Sequence, residues 1–289
     1  MNRTSGLGAA KGALCVPGSV CWVMVSSTDP AGSPTFYSRV FGWTYQSGSP
    51  DGRGREMTAW CAGHPVAGLV TVPVRAGQAR WTLYLATLNV VHSAQLLRAW
   101  GGRVLNGPAP VPGRGMMVLG VDPTGAVIGF CQPARPWRLG RIGPGSLYWA
   151  QLDTWDGPGA DAFYAALFGY QQHQIGDGFD VDYTVWSRGG HPILGRLRMH
   201  PDWADRNQDA QWTLHFAVDP RIGTDAAADR VLALGGEVDI DPYDTEFGRI
   251  ARVRDPSGAA FALIDPTDRI APASDLAAGS ARVDDPYDD

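Results

Sequence analysis

The sequence lacks several features that would point quickly to a class of function. No apolar run approaches the roughly 20 residues needed for a bilayer-crossing helix, which argues against a membrane role. Its cations are not clustered and the formal net charge is -5, which argues against nucleic acid as a partner. The four cysteines, Cys15, Cys21, Cys61 and Cys131, show no Cys-x-x-Cys spacing and do not form the pattern of a disulfide framework. At the N-terminus, "MNRTSGLGAAKGALCVPG" breaks its apolar stretch with glycines and Lys11, a poor signal-peptide core. These absences lead us to expect a cytoplasmic chain with reduced thiols. Disordered tails are expected over 1–15 and over the acidic, small-residue-rich stretch 268–289. What remains is 289 residues with an apolar fraction of 44% and 18% charged, enough for two domains that each bury a core.

The chain repeats itself. "CWVMVSSTDPAGSPTFYSRVFGWTYQ" (21–46) aligns without a gap on "YWAQLDTWDGPGADAFYAALFGYQQH" (148–173). The identities are Trp22/Trp149, Asp29/Asp156, Gly32/Gly159, Phe36/Phe163, Tyr37/Tyr164, Phe41/Phe168 and Gly42/Gly169. "GHPVAG" (63–68) then faces "GHPILG" (190–195), "WTLYLA" (81–86) faces "WTLHFA" (212–217), and "DPTGA" (122–126) faces "DPSGA" (255–259). We therefore read a tandem duplication, with domains at 16–134 and 144–267 joined by a Pro-, Gly- and Arg-rich linker at 135–143.

Each half divides again. A strand at 21–26 precedes a helix that Asp29 can cap, with Pro30 at its first position and Gly42 ending it in the left-handed conformation. Phe36, Tyr37, Val40 and Phe41 place one apolar face on that helix, to lie on a sheet. A hairpin turning at Ala62-Gly63 follows. The order then recurs with a strand at 81–88, a helix at about 91–100 and strands to Gln132. The fold class is α+β, with four βαβββ units forming two tandem domains of open, curled mixed sheets.

This combination of strand, Asp, "FYxxxFGW" and unit-ending "DPxGAxxxxxQP" resembles the vicinal oxygen chelate superfamily, which includes glyoxalases, extradiol dioxygenases and bleomycin-resistance proteins. The resemblance covers about residues 18–267. It is nearest to tandem actinobacterial glyoxalase-like proteins often labelled hydroxylases. Members with chemistry hold a divalent metal in the trough of paired units, through ligands on the first and last strands of a unit. In this sequence the corresponding positions are Trp22, Thr82 and Gly129 in the first half and Trp149, Thr213 and Ala262 in the second. Indole, hydroxyl-bearing threonine, glycine and alanine do not make a three-ligand site, so no metal and no cofactor is expected.

Strand alternation adds Met24 and Tyr84 to the first trough, and Gln151, Asp153 and His215 to the second. Trp81 and Trp212 have the opposite parity and read as core. His64 and His191 sit at hairpin turns, His92 and His173 flank helices, and His200 lies in a loop, all consistent with solvated surface. A trough lined by indoles, a phenol and a few polar tips suits a flat, polycyclic aromatic natural product such as an anthracycline. The leading expectation is a metal-free binding protein acting in sequestration, or as an accessory to a tailoring oxygenase. The alternative is a metal-independent isomerase, cyclase or hydroxylase with His215 and Asp153 as acid and base. A chain that pairs four units internally can be a monomer, and a homodimer stays open.

Overall fold

The computed structural model describes residues 16–47, 56–73, 79–134, 139, 143–202 and 204–270. The expected N-terminal tail, residues 271–289 of the expected C-terminal tail and most of the expected linker lie outside the described residues. Residues 268–270, expected in that tail, are instead ordered, because the Ile270 N–H donates to the Thr245 carbonyl at the end of β14. The first half comprises β1 (Val20–Ser27), α1 (Gly32–Phe41), β2 (Thr44–Ser47), β3 (Glu56–Cys61) and β4 (His64–Thr71). It continues with β5 (Arg80–Ala86), α2 (Val90–Ala99), β6 (Arg103–Val111), β7 (Gly115–Val121) and β8 (Val127–Pro133). The second half repeats this order as β9 (Leu147–Thr154), α3 (Gly157–Phe168), β10 (Gln171–Ile175), β11 (Tyr183–Arg188) and β12 (His191–Arg198). Its last unit is β13 (Gln211–Ala217), α4 (Gly223–Ala233), β14 (Glu237–Thr245), β15 (Gly248–Arg254) and β16 (Ala260–Asp265). These are the four βαβββ units expected.

Local signals explain the element ends. Asp156 is the N-cap of α3 and accepts from the Gly159 N–H, and Gly169 closes the helix at φ 68. In the first half the cap is displaced. The N-cap of α1 is Ala31, which has no capping side chain, while Asp29 Oδ1 accepts the Ala31 and Gly32 N–H groups from outside the helix. The chain advances two residues before the helix begins, so the carboxylate serves a turn and the helix entry together. At the tip of the β3–β4 hairpin, Ala62 and Gly63 both have positive φ, the twist-matching geometry of a two-residue connection.

Each half forms one eight-stranded mixed sheet, ordered β2-β3-β4-β1-β5-β8-β7-β6 and β10-β11-β12-β9-β13-β16-β15-β14. Its two units join through the antiparallel pairs β1/β5 and β9/β13. Along these central strands alternate residues face opposite ways. Val23, Val25 and Leu83, with their counterparts Leu152 and Leu214, belong to one large core that spans both halves. Trp22 and Tyr84 fall in a separate cluster on the other face.

The helices are the bridge. Phe36 and Phe41 of α1 meet Phe261 of β16, and Phe41 also meets Phe216 of β13 at 5.3 Å between ring centroids. In mirror fashion, Phe168 of α3 meets Phe130 of β8. Trp81 and Trp212 lie in this core at 5% exposure each, as their strand parity indicates. Each fully buried aromatic of this kind contributes roughly 1.5–3 kcal/mol through area burial. The helix-bearing faces thus pack into shared interior, which leaves the opposite face of each sheet as a trough.

Candidate functional site

The second trough is built on one row of register-paired residues: Trp149 on β9 faces His215 on β13, His215 faces Ala262 on β16, and Ala262 faces Arg252 on β15. Because side chains alternate along a strand, all four can serve one face. Above this row lies a cavity of about 560 Å³, lined among others by Tyr148, Trp149, Tyr183, Phe247, His215 and Arg252. The Trp149 indole N–H donates to the Tyr183 hydroxyl at 2.7 Å, which fixes both rings, and Tyr183 packs against Phe247 at 6.0 Å. Gly195 lies directly beneath them. A Cβ there would stand 2.1 Å from the Tyr183 hydroxyl oxygen and 2.8 Å from the indole nitrogen, so the ring pair requires glycine.

The floor of this cavity is polar and tightly satisfied at one point. Asp153 has a fully buried carboxylate that accepts from Gln151 Nε2 at 2.7 Å on Oδ1 and from Thr213 Oγ1 at 2.7 Å on Oδ2. Arg252 Nη1 stands 2.9 Å from the same Oδ2. A buried carboxylate survives only with such compensation. His215 is different. It is 3% exposed, and its Nδ1 has no hydrogen-bond partner among the described residues. Burial first, and then the Arg252 charge, push its pKa down to about 4. The imidazole is therefore neutral at physiological pH.

The first trough has the same frame and other contents. Trp22 faces Tyr84 across β1 and β5, and Tyr84 pairs with Gly129 of β8. A Cβ at Gly129 would stand 2.1 Å from the Tyr84 ring, so the phenol lies flat where a last-strand side chain would rise. Burial pushes the Tyr84 hydroxyl pKa up to about 12. Trp22 is fully buried, with the Arg114 guanidinium 3.8 Å above its ring and Arg114 paired to Glu56 at 2.5 Å. At the repeat-equivalent positions of the second half stand Phe247 and Tyr183. An ion pair closes over the tryptophan in one half, and an aromatic pair borders a cavity in the other. Met24 and Thr82 complete the first floor where Gln151 and Thr213 complete the second, and Leu119 stands in place of Arg252.

Of the residues expected from sequence, Trp149, Gln151 and His215 line the cavity together. Asp153, Thr213 and Ala262 form its buried underside, and Trp22, Met24, Thr82, Tyr84 and Gly129 belong to the separate first trough. Sequence reasoning missed Arg252, Tyr183 and Phe247. Arg252 left one usable trace, since "RIARVR" places a charge at every second or third position of an internal strand, one of which must turn inward. The remaining histidines behave as expected: His64, His92, His173 and His191 are exposed, and His200 sits beside Asp202 in a loop.

A divalent metal is implied by the fold, but the donor set does not fit one. The six first- and last-strand positions carry indole, threonine, glycine and alanine side chains, and no group of three His, Cys, Asp or Glu among the described residues is arranged to hold an ion. The cation that reaches the floor of the second trough is a guanidinium.

Comparison with known proteins agrees with this architecture. Residues 149–264 match the family described as glyoxalase-like domain. The chain is 32% identical over 274 residues to the anthracycline biosynthesis protein DnrV of Streptomyces peucetius, covering 86% of this chain and 94% of that one. It is 31% identical over 273 residues to the anthracycline biosynthesis protein DauV of Streptomyces sp. (strain C5), with the same coverage. Among solved structures, the 2,3-dioxygenase LapB from Pseudomonas sp. KL28 superposes with a TM-score of 0.59 at 15% identity, over 90% of this chain and 96% of that one. The Mn(II)-bound glyoxalase from Novosphingobium aromaticivorans gives 0.58 at 14% identity, over 91% and 89%. No helix among the described residues is long and apolar enough to cross a membrane. Duplicated βαβββ units, helices enclosed between two open sheets, and curated relatives matched over nearly their full length place the chain in the glyoxalase-like group of the vicinal oxygen chelate superfamily.

Proposed function

We propose that the chain binds a flat, apolar aromatic natural product of the anthracycline class in its second-half trough, as a sequestering protein or as an accessory to a tailoring oxygenase in its biosynthesis. The cavity carries the reading: about 560 Å³, bordered by Trp149, Tyr183, Phe247 and Tyr148, with a mostly apolar surface. That volume lies within the roughly 300–1,000 Å³ typical of small-molecule sites. Each ring stacked on such a wall contributes ~0.5–1.5 kcal/mol beyond area burial. The names of the two streptomycete relatives support the ligand class.

Titration of tryptophan fluorescence with an anthracycline aglycone tests the proposal. Saturable quenching that is lost in Trp149→Ala supports it, and absence of quenching by any polycyclic aromatic ends it.

A second reading, a metal-independent enzyme, draws on one observation, the neutral buried imidazole of His215 beside the cavity. Asp153 is unsuited to be its acid or base partner, since both carboxylate oxygens are already taken by Gln151, Thr213 and Arg252. Under this reading His215 acts alone as the base. Mass spectrometry of ligand recovered after incubation separates the two, because unchanged mass and retention leave binding only.

A further inference from the structure

Arg252 has an unusual path. It starts on β15 and reaches Asp153 on β9, although β16 and β13 lie between those strands in the sheet. The side chain therefore runs across the floor of the trough. It can do so because its register partner on β16 is Ala262, whose methyl group does not obstruct it. Its Nη1 ends on the same carboxylate oxygen that accepts the Thr213 hydroxyl. The guanidinium thus sits among Trp149, Thr213 and Ala262, the positions where the fold would otherwise present ligands to a metal.

Its hydrogen-bonding capacity exceeds the partners it has among the described residues. Arg252 pairs with Asp153 and hydrogen-bonds to Tyr243, whereas a guanidinium carries five N–H donors. The group lines the cavity with its side chain 15% exposed. His215, on the same register row, also lines it, and its buried Nδ1 has no hydrogen-bond partner among the described residues. One wall of a mostly apolar cavity, whose rim also carries Asp244 and Glu246, therefore holds the Arg252 guanidinium and the His215 imidazole side by side. Although Asp153 balances its charge, the guanidinium keeps N–H donors that an apolar ligand would leave unmet.

We infer that Arg252, with the His215 imidazole beside it, is an oxygen-anchoring site that selects ligands carrying a carbonyl or phenol oxygen on the edge of the aromatic system. This rests on the binding reading above and specifies the ligand further: a hydroxylated quinone, held by its oxygen edge against the floor with its rings on Trp149 and Tyr183. A guanidinium fork favours the phenolate over the phenol.

The test uses the full chain and two three-ring probes, 2-hydroxyanthraquinone and anthracene. Anthracene is the more apolar, so area burial alone would favour it. Tighter binding of 2-hydroxyanthraquinone, by about tenfold or more, is the expected result, the equivalent of one charge-assisted hydrogen bond. Equal binding, or preference for anthracene, overturns the oxygen site while leaving the aromatic cavity standing. Binding of neither probe overturns the cavity itself.

A second measurement needs no variant. The visible absorbance of bound 2-hydroxyanthraquinone, followed against pH, should report a phenol pKa about one unit or more below that of the free dye, and an unchanged or raised value overturns the inference. In Arg252→Lys the charge beside Asp153 is kept but the fork is lost. The advantage of the hydroxyquinone over anthracene should fall at least threefold there, and an unaltered ratio rules Arg252 out.

Discussion

The Tyr37 hydroxyl donates to Asp255 Oδ2 at 2.9 Å, and its counterpart Tyr164 donates to Asp122 Oδ2 at 2.8 Å. The two motifs that repeat in the sequence, "FY" on the helix and "DPxGA" at the end of the unit, thus meet across the halves. The same exchange recurs at the rim, where the Trp43 indole donates to the Gly145 carbonyl and the Tyr170 hydroxyl to the Gly18 carbonyl. Each half completes the other's buried polar groups.

Replacing Tyr37 or Tyr164 by phenylalanine leaves a buried carboxylate oxygen short of its donor. Each substitution should lower unfolding stability by about 1–3 kcal/mol, read from urea denaturation. The two links lie in separate places and share no partner, so the double variant should lose close to the sum.

Trp149 and Trp212 should separate function from stability. Trp149→Ala removes a cavity wall and should weaken aromatic binding about tenfold or more with a modest change in stability. Trp212→Ala empties core instead, and should cost about 3–5 kcal/mol in denaturant unfolding.

The Asp153 and Arg252 pair should reveal itself through asymmetry. Arg252→Met strands a carboxylate with only Gln151 and Thr213 and should cost about 3–5 kcal/mol. Adding Asp153→Leu should return much of that loss, because the uncompensated charge is gone. Thermal and urea unfolding of the single and double variants check this.

His215 sets an acid limit on stability. Its folded pKa of about 4 lies below the ordinary value of 6.5, so the unfolded chain binds this proton more readily. Its contribution is therefore intact above pH 6.5 and is lost as pH falls from there towards 4, by about 3 kcal/mol in total. His215→Phe should remove that segment of the stability profile, and proton NMR of the imidazole should give the folded pKa directly.

In the first half, Arg114 already occupies the face of Trp22. Quenching titrations should therefore saturate at one aromatic ligand per chain. Arg114→Ala should expose the Trp22 ring to solvent, seen as a shift of its fluorine resonance in 5-fluorotryptophan-labelled protein.

Much of the fold was legible because it rests on local, repeated signals. Asp156, Gly169 and the Ala62-Gly63 turn act through neighbouring backbone, and Trp81 against Trp22 follows from strand parity. The displaced cap at Asp29 was less legible, since Pro30 and Ala31 fit a helix start as readily as a turn. The candidate site was half legible. Trp149, Gln151 and His215 share a face by alternation, so their positions could be counted. Arg252, Tyr183 and Phe247 reach the cavity through side-chain length and the curl of the sheet, and neither has a period in sequence. The crossing of the helices from one half to the other also left no local trace, because the same apolar face would serve a sheet of either half.

Arg114 over Trp22 has a consequence for how such a duplicated chain changes. A guanidinium tethered to the backbone competes for the indole face at an effective concentration in the millimolar range or above, which dilute solutes do not match. The first trough carries its own internal competitor, and losing that one side chain would uncover the indole face beneath it. Equivalent positions in the two halves can then diverge in what covers the trough without disturbing the shared core beneath them.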